Sequence, residues 1–269
     1  MTDAPLFYVR NGPVGELVLN RPQKRNALTR AMWQTLPRLL AGAMEEPDLR
    51  VVIVRGEGGA FAAGADIAEF EDVYATPESA DAFSAEVAAA LDALAGFPLP
   101  TLAQIEGACI GAGCGIALAC DIRYASETAK FGITPAKLGL LYPLNDTRRL
   151  VDAVGQAVAR DMLFSARHLD AREAATTGLV NACFPATDLE ARSREMAGLI
   201  ASRSRDSLRG LKSILDLIAG GVHNDTVETR ALFRQAFDGD DFSEGYRAFL
   251  EKRAPDFSGP DSGSDKDKT

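Results

Sequence analysis

The first half of the chain alternates short apolar runs with amphipathic stretches. Every second position of Gly15–Leu19 is apolar, which predicts a strand over Val14–Asn20 after a first one at Phe7–Arg10. Val51–Val54 is apolar throughout and predicts a buried strand, and Thr101–Ile105 predicts another. This part of the chain therefore predicts strands and helices in alternation.

The amphipathic stretches between and after these strands predict helices. Thr29 is a good N-cap, and the helix that follows contains Pro37, which predicts a kink. The residues on its apolar face are Met32, Leu36, Leu39 and Leu40. An Ala-rich stretch predicts a helix over Ser79–Leu94. After about Thr147 the periodicity is helical, apart from a strand predicted at Leu179–Phe184, so a helical half follows the α/β half.

Composition narrows the function of this 269-residue chain. Asp and Glu number 38 against 29 Lys and Arg, a net charge of −9, which argues against nucleic acid as a partner because phosphate contacts need clustered cations. Only 2 His are present, and the 4 Cys have no zinc-site spacing, so we predict no metal site and buried, reduced thiols. Mechanisms that need a His cluster are excluded.

Neither a leader nor a membrane segment is evident in the sequence. Met1–Arg10 lacks a basic stretch followed by an apolar one, and the uncharged run between Glu106 and Asp121 is shorter than the about 20 residues of a membrane helix. We therefore expect a cytoplasmic protein that does not bind membranes. Residues 256–269 are rich in Gly, Ser, Pro and charge, which predicts a disordered tail.

Two segments have the design of a strand, a glycine-bearing turn and a helix start: Val51–Asp66 and Leu102–Gly115. Small residues let a ligand approach the backbone, and a helix N-terminus offers unpaired N–H donors that could stabilise an oxyanion. Close packing of helix on strand explains the small residues equally well. A dinucleotide site is excluded because Ile116 stands where the third glycine of that motif is required.

These segments and others resemble, in order and spacing, the enoyl-CoA hydratase/isomerase (crotonase) superfamily from about residue 6 to residue 258. The matching pieces are Leu19–Pro22, Asn26–Leu28, Phe61–Asp66, Gly107–Asp121, Ala136–Gly139, Ala174–Asn181 and Ala248–Arg253. The resemblance implies an α/β fold with a crotonase-type spiral of ββα units in residues 1–200. It also implies a helical trimerisation region in residues 201–255 and a homotrimer or a dimer of trimers.

The resemblance also implies an acyl-CoA substrate whose thioester oxygen is held by the backbone N–H groups of Ala65 and Ala112. No separate cofactor is expected, since the substrate itself carries the coenzyme A. The positions that match coenzyme A contacts are Lys24, Arg25, Ala27, Ala63, Asp66, Ile67, Phe249 and Lys252. For Lys24 and Arg25 a solvated loop charge is the alternative.

The chain departs from the family at both proton-transfer positions. Hydratases of this superfamily carry two glutamates, and here Gly115 and Pro135 stand in their places. The segment from Phe131 to Tyr142 locally resembles methylmalonyl-CoA decarboxylase, which places Tyr142 at the reacting end of the pocket. Asp146 is the best remaining carboxylate for acid or base chemistry, although capping of a helix that starts near Thr147 is its alternative role.

Three functions remain open from the sequence. A decarboxylase-type lyase is favoured because loss of carbon dioxide needs no base to start. An enoyl-CoA hydratase or isomerase, with Asp146 or a loop carboxylate in place of the glutamates, is the first alternative. A protein that binds acyl-CoA without catalysis is the second.

Overall fold

The computed structural model describes residues 3–257, which form nine strands and ten helices. The strands are β1 (Leu6–Asn11), β2 (Val14–Leu19), β3 (Val51–Gly56), β4 (Thr101–Ile105), β5 (Ala108–Ile110), β6 (Ile122–Ser126), β7 (Lys130–Gly132), β8 (His168–Asp170) and β9 (Ala182–Phe184). The helices are α1 (Arg30–Met44), α2 (Phe70–Val73), α3 (Pro77–Ala95), α4 (Ala112–Ala119), α5 (Leu144–Ser165), α6 (Ala171–Thr176), α7 (Ala186–Ala201), α8 (Arg205–Ala219), α9 (Val227–Phe237) and α10 (Asp240–Glu251). The α/β class predicted from the sequence is confirmed.

Two sheets organise the first two thirds of the chain. The larger has the strand order β1-β2-β3-β4-β6-β9, in which β1 and β2 are antiparallel and every other neighbouring pair is parallel. The smaller has the order β5-β7-β8. Since β5 follows β4 and β7 follows β6, the chain moves from one sheet to the other at each of these turns. That alternation brings the loop after β3 beside β5.

The larger sheet is covered on both faces, which explains the uninterrupted apolar run of β3. Val52 and Val54 pack into the main core with α1, α3 and α4, whereas Val51 and Ile53 face a second cluster that includes Leu189 of α7. Successive strand residues point to opposite faces, so a strand between two helical layers needs apolar residues at every position.

The helices predicted in the first half are present with slightly different bounds. The Thr29 hydroxyl accepts the Met32 N–H (3.4 Å), as expected of an N-cap, and α1 continues through Pro37 to its end. α3 begins two residues earlier than predicted, because Thr76 and Ser79 form a reciprocal capping box and Pro77 occupies the first turn.

Two predicted elements need correction. The strand expected at Leu179–Phe184 begins only at Ala182, because the residues before it form the turn that follows α6, with Gly178 at φ +81°. The helix expected from about Thr147 begins at Leu144, and Gly155 interrupts it with a non-helical conformation.

The cysteines are free thiols, as predicted. Cys109, Cys114 and Cys120 are buried and Cys183 is partly buried. Burial raises the pKa of the Cys120 thiol to about 12, so this thiol stays protonated.

The helices α8 to α10 follow the sheet region, and Lys212 joins them to it through Asp121 Oδ2 (2.8 Å) and the Leu99 carbonyl (3.3 Å). The assignment of residues 201–255 to trimerisation stays a prediction. Of the predicted tail, residues 258–269 lie outside the described residues, while Phe257 accepts a hydrogen bond from Arg50 (3.3 Å). Among the described helices, each is too short or too polar to cross a bilayer.

Candidate active site

A cavity of about 680 Å³ lies between the loop after β3, the first turn of α4, helix α3 and the segment that leads into α5. Its wall is largely apolar, and its charged lining residues are Asp92, Asp146 and Arg149. Its other lining residues include Trp33, Ala63, Ala65, Ile67, Phe83, Leu91, Ala112, Pro135 and Tyr142. A concave, largely apolar space with few polar groups is typical of a small-molecule site.

The loop after β3 leaves the N–H of Ala65 free on the cavity side. Leu28 donates to the Gly64 carbonyl and accepts from the Asp66 N–H, both at 2.8 Å. Because neighbouring peptide groups of an extended segment point to opposite sides, the Ala65 N–H points away from Leu28. It has no hydrogen-bond acceptor among the described residues.

The second donor comes from the start of α4. Gly111 is the N-cap at φ +52° and donates to the Gly132 carbonyl at 2.7 Å, so Ala112 is the first helical residue and its N–H has no partner within the helix. A Cβ on Gly113 would overlap the Ala62 carbonyl, which shows how closely α4 packs on the loop after β3.

The two glycine-bearing turns are thus neighbours, as the sequence allowed. Ala62 pairs with β5 through hydrogen bonds to Ala108 (2.8 Å) and Ile110 (2.9 Å). Both Ala65 and Ala112 line the one cavity. Two free amides around a shared space can donate to a single oxygen that gains negative charge.

Tyr142 brings a buried hydroxyl to the wall near α4. Its ring is partly exposed, but the hydroxyl is buried and has no hydrogen-bond partner among the described residues. A Cβ on Gly115 would lie 3.4 Å from this oxygen, so the phenol fills the space next to the glycine. Burial, together with the nearby Cys114 and Asp146, holds the pKa of Tyr142 well above its usual value, and the hydroxyl therefore stays a donor.

Asp146 lies in the first turn of α5, and the capping role is not observed. The N-cap is Pro143, which makes no side-chain cap, because the helix starts earlier than its polar residues suggested. Asp146 is 4% exposed and accepts from Arg149 Nη1 at 2.9 Å. Burial raises the pKa of this carboxyl and Arg149 partly opposes the rise, so it is a stronger base than an ordinary aspartate.

Arg149 connects two carboxylates at this end of the cavity. Its Nη2 donates to Asp92 Oδ1 at 2.6 Å while its Nη1 holds Asp146. Arg149 and Asp92 were missed by the sequence analysis. The spacing of Arg149 three residues after Asp146 is a helical ion-pair signal that could have found it, but nothing in the sequence links Asp92 to this site.

Five of the predicted coenzyme A residues lie in or beside this cavity: Lys24, Arg25, Ala27, Ala63 and Ile67. Ala63 and Ile67 line it, and the Ala63 N–H donates to the Arg25 carbonyl (2.9 Å), which brings the exposed Lys24 and Arg25 to its edge. The turn that contains them is held by the fully buried Asn26, whose side chain bonds to the backbone of Arg21, Glu57 and Ala60. Ala27, partly buried, accepts from Arg21 Nη1.

Asp66 and the two C-terminal residues do not line the cavity of this chain. The Asp66 carboxylate pairs with Arg21 (2.8 Å), which lowers its pKa, and accepts the Ala68 N–H (3.2 Å). Phe249 and Lys252 lie at the end of α10, where Phe249 is 81% exposed. Asp66 follows Ala65 directly but turns its carboxylate to Arg21, and Phe249 and Lys252 lie on α10, outside the lining of the cavity. The assignment of these three residues to coenzyme A stays a prediction.

The family model "Enoyl-CoA hydratase/isomerase" matches residues 10–260 of the chain. The chain belongs to the enoyl-CoA hydratase/isomerase family. A solved structure of an enoyl-CoA hydratase/isomerase family protein from Hyphomonas neptunium is 44% identical, with a TM-score of 0.92 over 95% of this chain and 98% of that one. The crotonase fold expected from the sequence is confirmed by this similarity.

Two relatives have names that state an activity. A Mycobacterium tuberculosis protein named a probable enoyl-CoA hydratase is 38% identical over 96% of this chain and 99% of its own length. The 2,3-dehydroadipyl-CoA hydratase of Escherichia coli is 34% identical over 94% of this chain and 98% of its own length.

The two positions that the resemblance assigns to proton transfer, Gly115 and Pro135, carry no titratable side chain. Gly115 lies inside α4 beneath Tyr142, and Pro135 lines the cavity at the start of a 3-10 turn. Neither side chain can carry a proton. Asp92 and Asp146 are the carboxylates among the lining residues, and Asp146 is the buried one of the two. Tyr142 adds a phenol next to Gly115.

Proposed function

We propose that the protein binds acyl-CoA thioesters in this cavity and hydrates or isomerises an enoyl-CoA. The observation that carries the proposal is the buried Asp146 carboxyl, which shares one cavity with the free amides of Ala65 and Ala112. The relatives named as hydratases support the same reaction, which is the alternative rather than the favoured function from the sequence.

In hydration, the thioester oxygen accepts from Ala65 and Ala112, which draws electrons away from the C2–C3 double bond. Ionised Asp146 removes one proton from a water molecule as the water oxygen bonds to C3. The electrons of the double bond move onto the thioester as an enolate, and C2 then takes the proton back from Asp146. One water is added overall. Tyr142 stays protonated, and in this proposal its hydroxyl, buried in the empty protein, turns toward the cavity and donates a hydrogen bond to the water oxygen.

The coenzyme A part would extend from the cavity along the turn that carries Lys24, Arg25, Ala27 and Ala63, with Ile67 beside the pantetheine arm. Asp66 instead holds this loop through Arg21, since its carboxylate is already bonded. Phe249 and Lys252 would reach coenzyme A only from a neighbouring subunit, because they lie outside the cavity of their own chain.

A homotrimer, or a dimer of trimers, is part of this proposal. The supporting observation is an apolar surface on α8 to α10, which we call the C-terminal apolar face. Its members, each more than half exposed, are Leu211, Leu215, Ile218, Val227, Phe233, Phe237, Tyr246, Phe249 and Leu250. So many exposed large apolar side chains on three consecutive helices favour a surface that binds another subunit.

Incubation of the purified protein with crotonyl-CoA and with longer and branched enoyl-CoAs tests the reaction. We expect loss of the conjugated thioester absorbance and a product one water heavier by mass spectrometry. Asp146→Asn should lower kcat by about 10²- to 10⁴-fold. Asp152→Asn is the matched control, since it removes an exposed carboxylate from the same helix, and it should retain full activity. No absorbance change with any enoyl-CoA would overturn the proposal.

Decarboxylation of a malonyl-type thioester is the second candidate, favoured by the silent Gly115 and Pro135. In it the carboxylate leaves as carbon dioxide, and the bonding electrons pass to the thioester oxygen held by Ala65 and Ala112. The cavity weighs against it, because Asp92 and Asp146 outnumber Arg149 and would repel a substrate carboxylate. Release of carbon dioxide from malonyl-CoA or methylmalonyl-CoA, without hydration of enoyl-CoAs, would establish this reaction instead.

A further inference from the structure

The Arg149 guanidinium is shared between two carboxylates, and this sharing determines how it binds the proposed base. Its Nη1 donates to Asp146 Oδ1 at 2.9 Å, and its Nη2 donates to Asp92 Oδ1 at 2.6 Å. An arginine that faces a single carboxylate often binds both of its oxygens through two parallel hydrogen bonds. Because Asp92 occupies the second nitrogen here, Asp146 receives only one bond from Arg149.

The second oxygen of Asp146 is left without a hydrogen bond. Oδ2 accepts from none of the described residues and, unlike the Tyr142 hydroxyl, it is not fully enclosed by protein. The Asp146 side chain is 6% exposed and lines the cavity. Asp146 therefore has one oxygen that Arg149 fixes and a second oxygen that a water molecule can reach.

Asp92 is suited to hold Arg149 because it lies where water reaches it. The Asp92 side chain is 50% exposed, whereas that of Arg149 is 12% exposed. Both residues also line a second cavity of about 810 Å³ between α3, α5 and the ends of α4 and α8. Asn145 Nδ2 lies 3.5 Å from both Asp92 oxygens and adds a contact from the start of α5. Hydration from the second cavity lowers the cost of keeping a charge on Asp92 near the buried Asp146.

Few other charged groups act on the Asp146 carboxyl. The charged and titratable groups on the elements packed around it are Arg149 of α5, Asp92 of α3, Tyr142 before α5, Cys114 of α4 and Lys137 of the preceding 3-10 turn. Of these, Lys137 is exposed and lies outside the cavity lining. Burial raises the pKa of Asp146, Arg149 opposes the rise, and the charge of Asp92 adds to it. Asp92 thus favours a basic Asp146 both by its charge and by keeping Arg149 Nη2 occupied.

We propose that Asp92 is a positioning residue for the proposed reaction. By occupying Nη2 of Arg149, it limits that guanidinium to one oxygen of Asp146 and leaves Oδ2 free to take the proton of the reacting water. Without Asp92, Arg149 would bind both oxygens, and a hydrogen bond between charged groups would have to break before Asp146 could react. This inference rests on the proposed function, since it assigns the proton transfer to Asp146.

The dependence of kcat on pH in Asp92→Ala tests the inference, and this variant should fold because Asp92 is half exposed on a helix. With an enoyl-CoA that the wild type hydrates, kcat should fall about 10- to 100-fold, as expected when one hydrogen bond between charged groups must break. The ascending limb of the profile reports the ionisation of the base. It should move to lower pH, because two bonds from Arg149 stabilise the carboxylate more than one. KM should change little, since Asp92 is not among the predicted coenzyme A contacts.

Two matched variants complete the test. Asp92→Glu keeps a carboxylate that can accept from Arg149 Nη2, so it should restore most of kcat and return the limb toward its wild-type position. Asp152→Ala removes a carboxylate that also lines the second cavity and pairs with Arg148 at 3.6 Å, and it should leave kcat and the limb unchanged. A less stable Asp92→Ala with the wild-type kcat and limb would overturn the inference, because Asp92 would then only join α3 to α5.

Carboxyl ¹³C NMR gives a reading that does not need turnover. The Asp146 resonance, assigned by its absence in Asp146→Asn, should titrate at lower pH in Asp92→Ala than in the wild type. An unchanged or higher titration midpoint would overturn the inference. Failure of the wild type to hydrate any enoyl-CoA would instead overturn the proposed function, and the NMR titration would still show whether Asp92 governs the contact between Arg149 and Asp146.

Discussion

At the scale of single residues, the site is defined by polar groups that the fold buries, and two of them lack a hydrogen-bond partner among the described residues. Tyr142 and Trp33 each keep a buried donor with no partner in the described part of the chain, and Asp146 keeps a carboxyl whose pKa burial raises. Such groups cost stability in the empty protein. The residues that carry these groups all line one cavity, so the destabilising groups are concentrated at the candidate site.

Tyr142→Phe should separate stability from activity. It removes a buried hydroxyl without a partner, so the free energy of unfolding should stay equal or rise by up to about 1 kcal/mol. Turnover should fall by about tenfold, because the reacting water loses one hydrogen-bond donor. Urea unfolding and steady-state rates on the same preparation measure both. A destabilised variant with unchanged turnover would show that the hydroxyl serves the fold alone.

Asp146 should give the protein a distinctive dependence of stability on pH. Its folded-state pKa is raised above the 3.8 of an ordinary aspartate, so the folded protein binds this proton more tightly than the unfolded chain. The resulting stability is fully present below about pH 3.8 and is lost as the pH rises through the raised value. The free energy of unfolding of wild type minus that of Asp146→Asn, from urea titrations, should therefore decrease across this interval. An increase would mean that Arg149 dominates over burial.

At the scale of elements, α4 and the loop after β3 depend on close backbone contact. Periodicity predicted β1 to β4, α1 and α3, because each is long enough to show a repeating pattern. It could not find β5, β7 and β8, which have three residues each and form only because the chain moves between two sheets. Gly64 and Gly111 lie close together because of that tertiary arrangement, which the sequence did not show. The small residues of the two glycine-bearing turns were visible in the sequence.

Gly113→Ala tests this close contact. The added Cβ would overlap the Ala62 carbonyl, so α4 must shift, at a cost of about 1–3 kcal/mol in the free energy of unfolding. The shift also moves Ala112 away from Ala65, so acyl-CoA binding should weaken. Gly198→Ala in α7 is the matched control, since a Cβ there meets nothing within 4 Å and should stabilise by about 0.5–1 kcal/mol. Equal stability of the two variants would refute the contact.

At the scale of the whole molecule, the sequence and the structure each supply what the other lacks. The family pattern directed attention to Ala65, Ala112 and Tyr142, and the fold brings all three to one cavity. The Arg149–Asp92 ion pair joins α5 to α3 across 57 positions, and a single sequence carries no signal for such a distant pair. For the C-terminal apolar face, the helical periodicity of α8 to α10 was visible in the sequence. The sequence did not show which side of these helices the rest of the chain leaves uncovered.

Phe233→Glu tests the C-terminal apolar face. Phe233 is 73% exposed, and a charge buried there in a trimer would lack a partner, so sedimentation velocity should show dissociation to monomers. KM for the acyl-CoA should rise, because Phe249 and Lys252 would no longer reach a neighbouring site. Leu199→Glu places the same charge on the partly exposed side of α7 and should leave the assembly intact. A wild-type protein that sediments as a monomer would contradict the trimer itself.

The phenol beside Gly115 also constrains how this chain could change over time. A Cβ at this position would already lie 3.3 Å from Leu91 and 3.4 Å from the Tyr142 hydroxyl, so the longer side chain of a glutamate would overlap both neighbours. A lineage with this tyrosine gains nothing from Gly115→Glu alone. Tyr142 must first be replaced by a smaller residue. That substitution removes the phenol hydroxyl before the carboxylate of a glutamate at position 115 is present. Because the intermediate variant lacks both the hydroxyl and the carboxylate, Gly115 and Tyr142 tend to be retained together.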